Sequence, residues 1–592
     1  MRSLGISLLV VGLAAGCATV ARGPSELTLD EKIGQLFVYV ARGGFKNEES
    51  AEWRALVHQV RDNQIGSIAW ASGSSAMETA FFTRKLQEMS RVPLLVSADL
   101  EAGPGMRFLD TTSWPWPMAV AAAGDPDLAR QEGQAVAEEA RALGLNQIYA
   151  PVADVNDNPA NPVINVRSFG EDPADVARYV AAYVEGVQSR GVIATVKHFP
   201  GHGNAVTDSH RSLPVSEKSA EDLNQTELVP FRAAIAAGVG AVMTGHLALP
   251  RIDPSPAPPR LGGELENPFT QDPADVTRAG TVPASLSPAI TGLLRGELGF
   301  RGLILTDALD MGGIVDHYAA AESAVRAILA GADQALKSPD TDAAVAGVRQ
   351  AVESGRISRS RLEESVRRVL EAKSRVGAPA PDPDRIFRTV DQPSHRALSE
   401  EIARRSLTLL REENGVLPLT PARRVLFVAL TDSAPHPGDD LAIALKASLG
   451  APAERMTVNT RSTPADQQAV LDAAARADVV LLALFVHLES GRGSIALPDS
   501  GVQLAHELLA ASRPVAVLSF GSPYLVSEFP EMKTCVLAWG GQPDAQTALA
   551  RALVGQAAMT GRTPVTIPGI AARGAGIRKE ATRGGAGSGG RP

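Results

Sequence analysis

The densest group of reactive side chains in this 592-residue chain is Lys197-His-Phe-Pro-Gly-His-Gly-Asn-Ala-Val-Thr-Asp-Ser-His210. Three of the ten histidines, one lysine and one aspartate fall within these fourteen residues. Two chemistries suit such a set. In a metal centre, His198, His202, Asp208 and His210 would be the ligands. Pro200-Gly201 breaks any helix between His198 and His202, and no His-Glu-x-x-His occurs, so a zinc site on one helical face is excluded. In proton transfer, Asp208 orients His210 and stabilises its charged form, so that the imidazole can donate a proton. The spacing favours proton transfer, and neither metal nor cofactor is expected.

A loop of this kind needs a rigid element to project it. Between residues 25 and 376, short apolar runs alternate with helix-length segments. The runs are Leu36–Val40, Ile65–Trp70, Pro93–Ala98, Asn146–Ala150, Ile193–Lys197, Ala241–Thr244, Leu303–Thr306 and Ala332–Leu336. Most are continuously apolar, as parallel strands buried on both faces are. Leu128–Ala142, Val176–Gln188 and Ala320–Ala330 read as helices between them, and Thr28-Leu-Asp-Glu31 reads as a capping box. Eight strands with polar residues after their ends predict a (β/α)8 TIM-like barrel, whose chemistry belongs at the C-terminal strand ends. The reactive segment starts at the end of the fifth run.

The Pro- and Asp-rich stretch 377–395 reads as a linker. Beyond it, residues 396–570 carry a second rhythm, with strands at Val425–Leu430, Val479–Val486, Val515–Phe520 and Cys535–Trp539. Helices at Leu441–Leu449, Pro464–Ala475 and Gln542–Val554 make this a smaller doubly wound α/β three-layer sandwich. Gly491-Arg-Gly493 lacks the rest of a phosphate-binding fingerprint and reads as a surface turn. The Gly/Arg-rich end, 571–592, is expected to be disordered.

Composition narrows the partners. With 57 basic and 66 acidic residues the net charge is −9, which argues against nucleic acid. Aromatics make up 4%, too few for a broad stacking platform along a polymer. Two cysteines exclude a disulfide scaffold and a four-thiolate zinc site. Residues 1–24 read as an export segment: Ser3–Gly16 is almost wholly apolar. Leu13-Ala-Ala-Gly-Cys17 resembles a bacterial lipoprotein signal, which implies an exported, periplasmic or cell-envelope protein with a possible lipid anchor at Cys17. Cys535, in an apolar run, reads as a small buried hydrophobe.

Lys-His-Phe-Pro-Gly-His-Gly (197–203) followed by Asp-Ser-His (208–210) resembles the signature of glycoside hydrolase family 3, in its bacterial β-N-acetylglucosaminidase branch. The resemblance runs from about residue 27 to 569. Asp-Leu-Glu-Ala-Gly-Pro-Gly-Met-Arg-Phe (99–108), Asn161 to Pro173, and Gly299 to Met311 match further family segments. Ser519 to Tyr524 and Gly561 to Gly569 are similar to the family's usual ending. The resemblance implies a retaining exo-β-N-acetylglucosaminidase acting on peptidoglycan fragments or chitooligosaccharides. It makes Asp307 the nucleophile, in preference to Asp310, and His210 the acid/base with Asp208 as its partner. Asp99, Arg167, Lys197 and His198 would hold the sugar, and His246 would lie near the site. Leu100 and Ala102 depart from the commoner Asp-Gln-Glu-Gly-Gly and bear on the pocket wall. The rival readings are a family 3 β-glucosidase or β-xylosidase, with Glu489 as a weak acid/base candidate, a phosphorylase, and a non-catalytic cell-wall-binding lipoprotein.

Overall fold

Along each of the first eight strands, side chains alternate between two apolar layers, and the architecture follows from that alternation. The strands are β1 (Phe37–Ala41), β2 (Ser67–Trp70), β3 (Leu95–Ser97), β4 (Gln147–Ile148), β5 (Ile193–Phe199), β6 (Ala241–Thr244), β7 (Leu303–Ala308) and β8 (Gln334–Leu336). They pair in parallel in the order β3-β2-β1-β8-β7-β6-β5-β4. Asn146 N–H donates to Val96 O and Tyr149 N–H to Ala98 O, both at 2.9 Å, so the two end strands meet and the barrel nearly closes. Val38, Ala69, Leu95, Tyr149, Met243, Leu305 and Leu336 form the inner core. Phe37, Ile68, Val96, Ile148, Val242, Ile304 and Ala335 join the outer core beneath the helices. Val369 and Ala372 of the helix Arg359–Val376 belong to the inner cluster and close its floor. All eight expected strands are present, and Thr28 and Glu31 form the expected capping box.

The computed structural model describes residues 23–259, 261, 280–378, 381–432, 437–450, 452–486 and 495–582. The export segment with Cys17, Glu489 and the Gly491–Gly493 turn lie outside these residues. Among the described residues no helix is long and apolar enough to cross a membrane.

The second domain is a six-stranded sheet made of β9 (Thr408–Glu412), β10 (Val425–Thr431), β11 (Glu454–Val458), β12 (Val479–Phe485), β13 (Val515–Phe520) and β14 (Thr534–Leu537). The order is β11-β10-β12-β13-β14-β9, with β9 antiparallel and the other pairings parallel. One face buries Leu426, Val428, Val480 and Leu482 together with Met118, Ala119 and Val166 from the barrel. The other buries Phe427, Ala429, Leu481 and Ala483 against the helices Asp439–Leu449 and Pro543–Leu553. Cys535 is buried and unbridged, and burial lifts its thiol to about 12.

Two boundaries differ from the sequence reading. The stretch 377–395, read as a linker, contains the helix Pro383–Thr389 and the start of Pro393–Ser406. In both helices proline occupies the first turn, where its missing N–H costs no hydrogen bond, so the prolines start helices here. Ile386 and Ile402 pack into the barrel's outer core. Residues 571–582, read as the beginning of a disordered tail, lie against the second sheet. Ile577 N–H donates to Leu409 O at 2.7 Å, and Met559 and Lys579 exchange two backbone bonds. The open edge of β9 offers partners that composition alone does not reveal.

Candidate active site

Every residue that the sequence reading placed in the site lies at or beyond a C-terminal strand end of the barrel. Asp99 follows β3, Arg167 ends a short turn after β4, and Lys197 and His198 lie near the end of β5. Asp208 and His210 occupy the loop after β5, His246 follows β6, and Asp307 is the penultimate residue of β7. The fold thus brings together side chains spread over two hundred positions.

Asp307 is the least satisfied carboxylate of the group. Its Oδ1 accepts the Ala308 N–H at 2.8 Å, while among the described residues Oδ2 makes no hydrogen bond and has His198 Nε2 4.0 Å away. Burial would raise this carboxyl, but the imidazoles of His198, His246 and His210 hold it at about 2. It is therefore ionised at neutral pH and has one oxygen unbonded. Asp310, three residues on, pairs instead with Lys337 at 2.9 Å.

His210 is held from below by Asp208, whose Oδ1 takes both the ring Nδ1, at 2.8 Å, and the His210 N–H, at 2.9 Å. This contact fixes a proton on Nδ1 and turns Nε2 outward on a side chain that is 31% exposed. The loop is tied to the segment after β7, since Gly312 N–H donates to His210 O and Gly313 N–H to Ser209 O.

Residues that sequence reasoning missed do much of the positioning. Glu101, buried, accepts Arg167 through Nε at 2.7 Å and Nη2 at 2.8 Å, and pairs with Lys197 at 2.5 Å. Lys197 also donates to Asp99 Oδ1 at 2.6 Å, and Arg107 reaches Asp99 Oδ2 at 3.2 Å. Burial alone would raise Glu101, yet Arg167 and Lys197 keep it well below the usual carboxylate range. Asp99 is lowered in the same way, by Lys197 and Arg107 against its burial. Burial would weaken the Lys197 ammonium, but Asp99 and Glu101 raise it. Arg167 and Lys197 are thus cations fixed by carboxylates, and each has N–H groups to spare.

Asp154 is the other missed anchor. Its carboxylate takes His198 Nδ1 and the His202 N–H, both at 2.7 Å, together with the His198 N–H at 3.1 Å. His198 and His202 lower Asp154 despite its burial. The same contacts aim His198 Nε2 toward Asp307 and Arg167. His202 lies edge-on to His198 and among the described residues both its ring nitrogens lack partners, while burial holds it near 4 and therefore neutral. His246 is buried between Ser285 Oγ, at 2.7 Å, and Ala308 O, at 2.9 Å. Among the described residues, no three His, Cys, Asp or Glu side chains gather as a metal site. Leu100 and Ala102 are buried, with Leu100 in the barrel core, so the departures from the commoner motif fall on packing positions. Both Glu101 and Asp154 lie beyond a strand end, and Glu101 also falls within the matched segment 99–108.

Comparison with known proteins shows the family. Residues 28–372 match the Glycosyl hydrolase family 3 N terminal domain, and residues 407–582 match the Glycosyl hydrolase family 3 C-terminal domain. The chain is 32% identical over 565 residues to a beta-N-acetylglucosaminidase/beta-glucosidase of Cellulomonas fimi, covering 93% of this chain and 96% of that one. It is 32% identical over 381 residues to the beta-hexosaminidase LpqI of Mycobacterium tuberculosis, covering 61% and 87%. A solved family 3 beta-N-acetylglucosaminidase from Paenibacillus sp. str. FPU-7 superposes with a TM-score of 0.77 at 33% identity, covering 91% and 99%. The beta-glucoside phosphorylase BglX superposes with a TM-score of 0.79 at 26% identity, covering 92% and 95%.

Proposed function

Because this chain belongs to glycosyl hydrolase family 3, we propose that it is a retaining exo-β-N-acetylglucosaminidase. It removes terminal non-reducing β-linked GlcNAc from peptidoglycan fragments or chitooligosaccharides. The observation that carries this reading is the ionised Asp307, with one bare oxygen, on a strand tied to the Asp208–His210 pair.

In the first step Asp307 Oδ2 attacks the anomeric carbon as His210 gives its Nε2 proton to the leaving oxygen. A glycosyl–carboxylate ester forms and the aglycone departs as an alcohol. In the second step the now neutral His210 takes a proton from water, whose oxygen attacks the same carbon and releases Asp307. Two inversions restore the starting configuration. Asp99 accepts sugar hydroxyls, while Arg167, Lys197 and His198 donate to hydroxyl or acetamido oxygens. Their mutual ion pairs fix them in place before substrate arrives. The apolar segment ending in Cys17 supports an envelope location with a lipid anchor.

Phosphorolysis is a second reading, favoured by one feature. An imidazole acid/base repels an incoming phosphate less than a carboxylate would. One comparison tests both readings: turnover of an aryl β-GlcNAc and an aryl β-glucoside, each with and without phosphate. The expected outcome is preferred GlcNAc release, unaffected by phosphate. Preferred glucose release would overturn the substrate assignment, and GlcNAc-1-phosphate among the products would replace hydrolysis with phosphorolysis.

A further inference from the structure

We propose that a cleft between the two domains binds an amine-bearing saccharide, such as a glucosamine oligomer, on the reverse side of the loop that carries Arg167. The choice of a saccharide rests on the glycosidase reading above, and the choice of an amine rests on the cleft itself. Its volume is about 750 Å³, within the usual span for small-molecule sites. The barrel contributes Asn161 and Asn165, and the second domain contributes Asp499, Glu507, Tyr524 and Glu528. Among the described residues no lysine or arginine lines it, and its histidine, His506, is bonded to Glu531 at 2.6 Å.

Asn165 points independently to a ligand that donates hydrogen bonds. It is 2% exposed, its N–H donates to Asn156 Oδ1 at 2.9 Å, and its Nδ2 donates to Ser522 Oγ at 3.1 Å. Its Oδ1 is buried and has no partner among the described residues, an acceptor that an ammonium or hydroxyl would satisfy. The lining therefore offers acceptors and negative charge, with Val502 and Leu525 as apolar surface for a sugar face. A ligand rich in carboxylates would be repelled.

The cleft shares a wall with the site. Asn161 Nδ2 donates to His202 O and Gly203 O, both at 2.9 Å, and Arg167 Nη1 donates to Val163 O at 2.9 Å. An occupant thus rests on the loop that positions Arg167.

Calorimetric titration of the full chain carrying Asp307→Asn, which keeps saccharides intact, tests the proposal. The probes are a β-1,4-linked glucosamine tetramer and its fully N-acetylated counterpart. The glucosamine tetramer is expected to bind at least about tenfold more weakly once Glu507→Gln and Glu528→Gln are added, and more weakly in high salt. The N-acetylated tetramer is expected to be indifferent to both changes. In the background with native Asp307, the two glutamine substitutions are expected to leave aryl β-GlcNAc turnover unchanged. Equal binding of the glucosamine tetramer with and without the two substitutions overturns the site, as does failure to detect its binding at millimolar concentration. A failure of the glycosidase reading appears separately, as absent GlcNAc turnover by the unaltered chain.

Discussion

The barrel carries a charged network at each end, and the two differ in what they leave unbonded. On the floor, Asp333 just before β8 is fully buried. Its Oδ2 accepts from Arg295 at 2.6 Å and from the Ile304 N–H at 3.0 Å. Its Oδ1 accepts from Ser365 Oγ at 2.9 Å and from Arg368 at 3.0 Å. All four acceptor positions of that carboxylate are filled. At the mouth, Asp307 is half-buried among cationic or protonatable groups, yet among the described residues it receives a single hydrogen bond. A saturated carboxylate holds elements together, whereas one with an open oxygen can meet a substrate. Proximity to charge does not separate structure from chemistry in this barrel; the count of unused acceptors does.

Exchanging the two carboxylates for amides sets that contrast its hardest test. Asp307→Asn is expected to lower turnover of aryl β-GlcNAc on the order of 10⁴-fold or more while leaving the unfolding midpoint unchanged or raised. An active Asp307→Asn enzyme would place the nucleophile elsewhere. His210→Ala comes next, with a loss of roughly 10²–10⁴-fold on saccharide leaving groups and a smaller one on dinitrophenyl leaving groups, which need little protonation. Equal losses on the two would deny His210 the role of acid. Asp333→Asn is expected to behave in the opposite way. It leaves buried guanidinium groups without their anion and costs about 3–5 kcal/mol in chemical denaturation. The kcat of the remaining folded molecules should be unchanged, and a fall in kcat at constant stability would erase the distinction between the two ends.

What the sequence made legible follows the same divide between local and relational features. The Asp208–His210 contact spans two positions, so spacing alone exposed it. The barrel strands were legible because both of their faces are buried, which leaves continuous apolar runs. Edge strand β11, Glu-Arg-Met-Thr-Val, is mostly exposed and carries no such run. Glu101 and Asp154 act across 66 and 44 positions, and their partners become neighbours only when β3, β4 and β5 close the barrel. Arg107 was within a matched segment, but its pairing with Asp99 depends on how the chain turns after β3. The fold class and the Asp208–His210 contact were thus readable, while the groups that fix the charged walls were not.

The smallest expected effect concerns two buried lysines. Lys197 at the mouth lies between Asp99 and Glu101, which raise its affinity for a proton despite its burial. Lys373 on the floor donates to Gln35 Oε1 and has no carboxylate partner among the described residues, so burial lowers it to about 7. Below pH 7 both the folded and the unfolded chain hold the Lys373 proton, and the folded state bears the full cost of the buried charge. Between about pH 7 and 10.5 the unfolded chain binds the proton and the folded one does not, so this residue's contribution grows more favourable as pH rises. Lys373→Met removes that dependence. Relative to the unsubstituted protein, it is expected to gain about 1 kcal/mol at pH 6, because the lost desolvation cost outweighs the donor lost to Gln35. The advantage should shrink by pH 9. Urea denaturation of both proteins at the two pH values measures it, and a difference that does not change with pH would mean that Lys373 is as well compensated as Lys197.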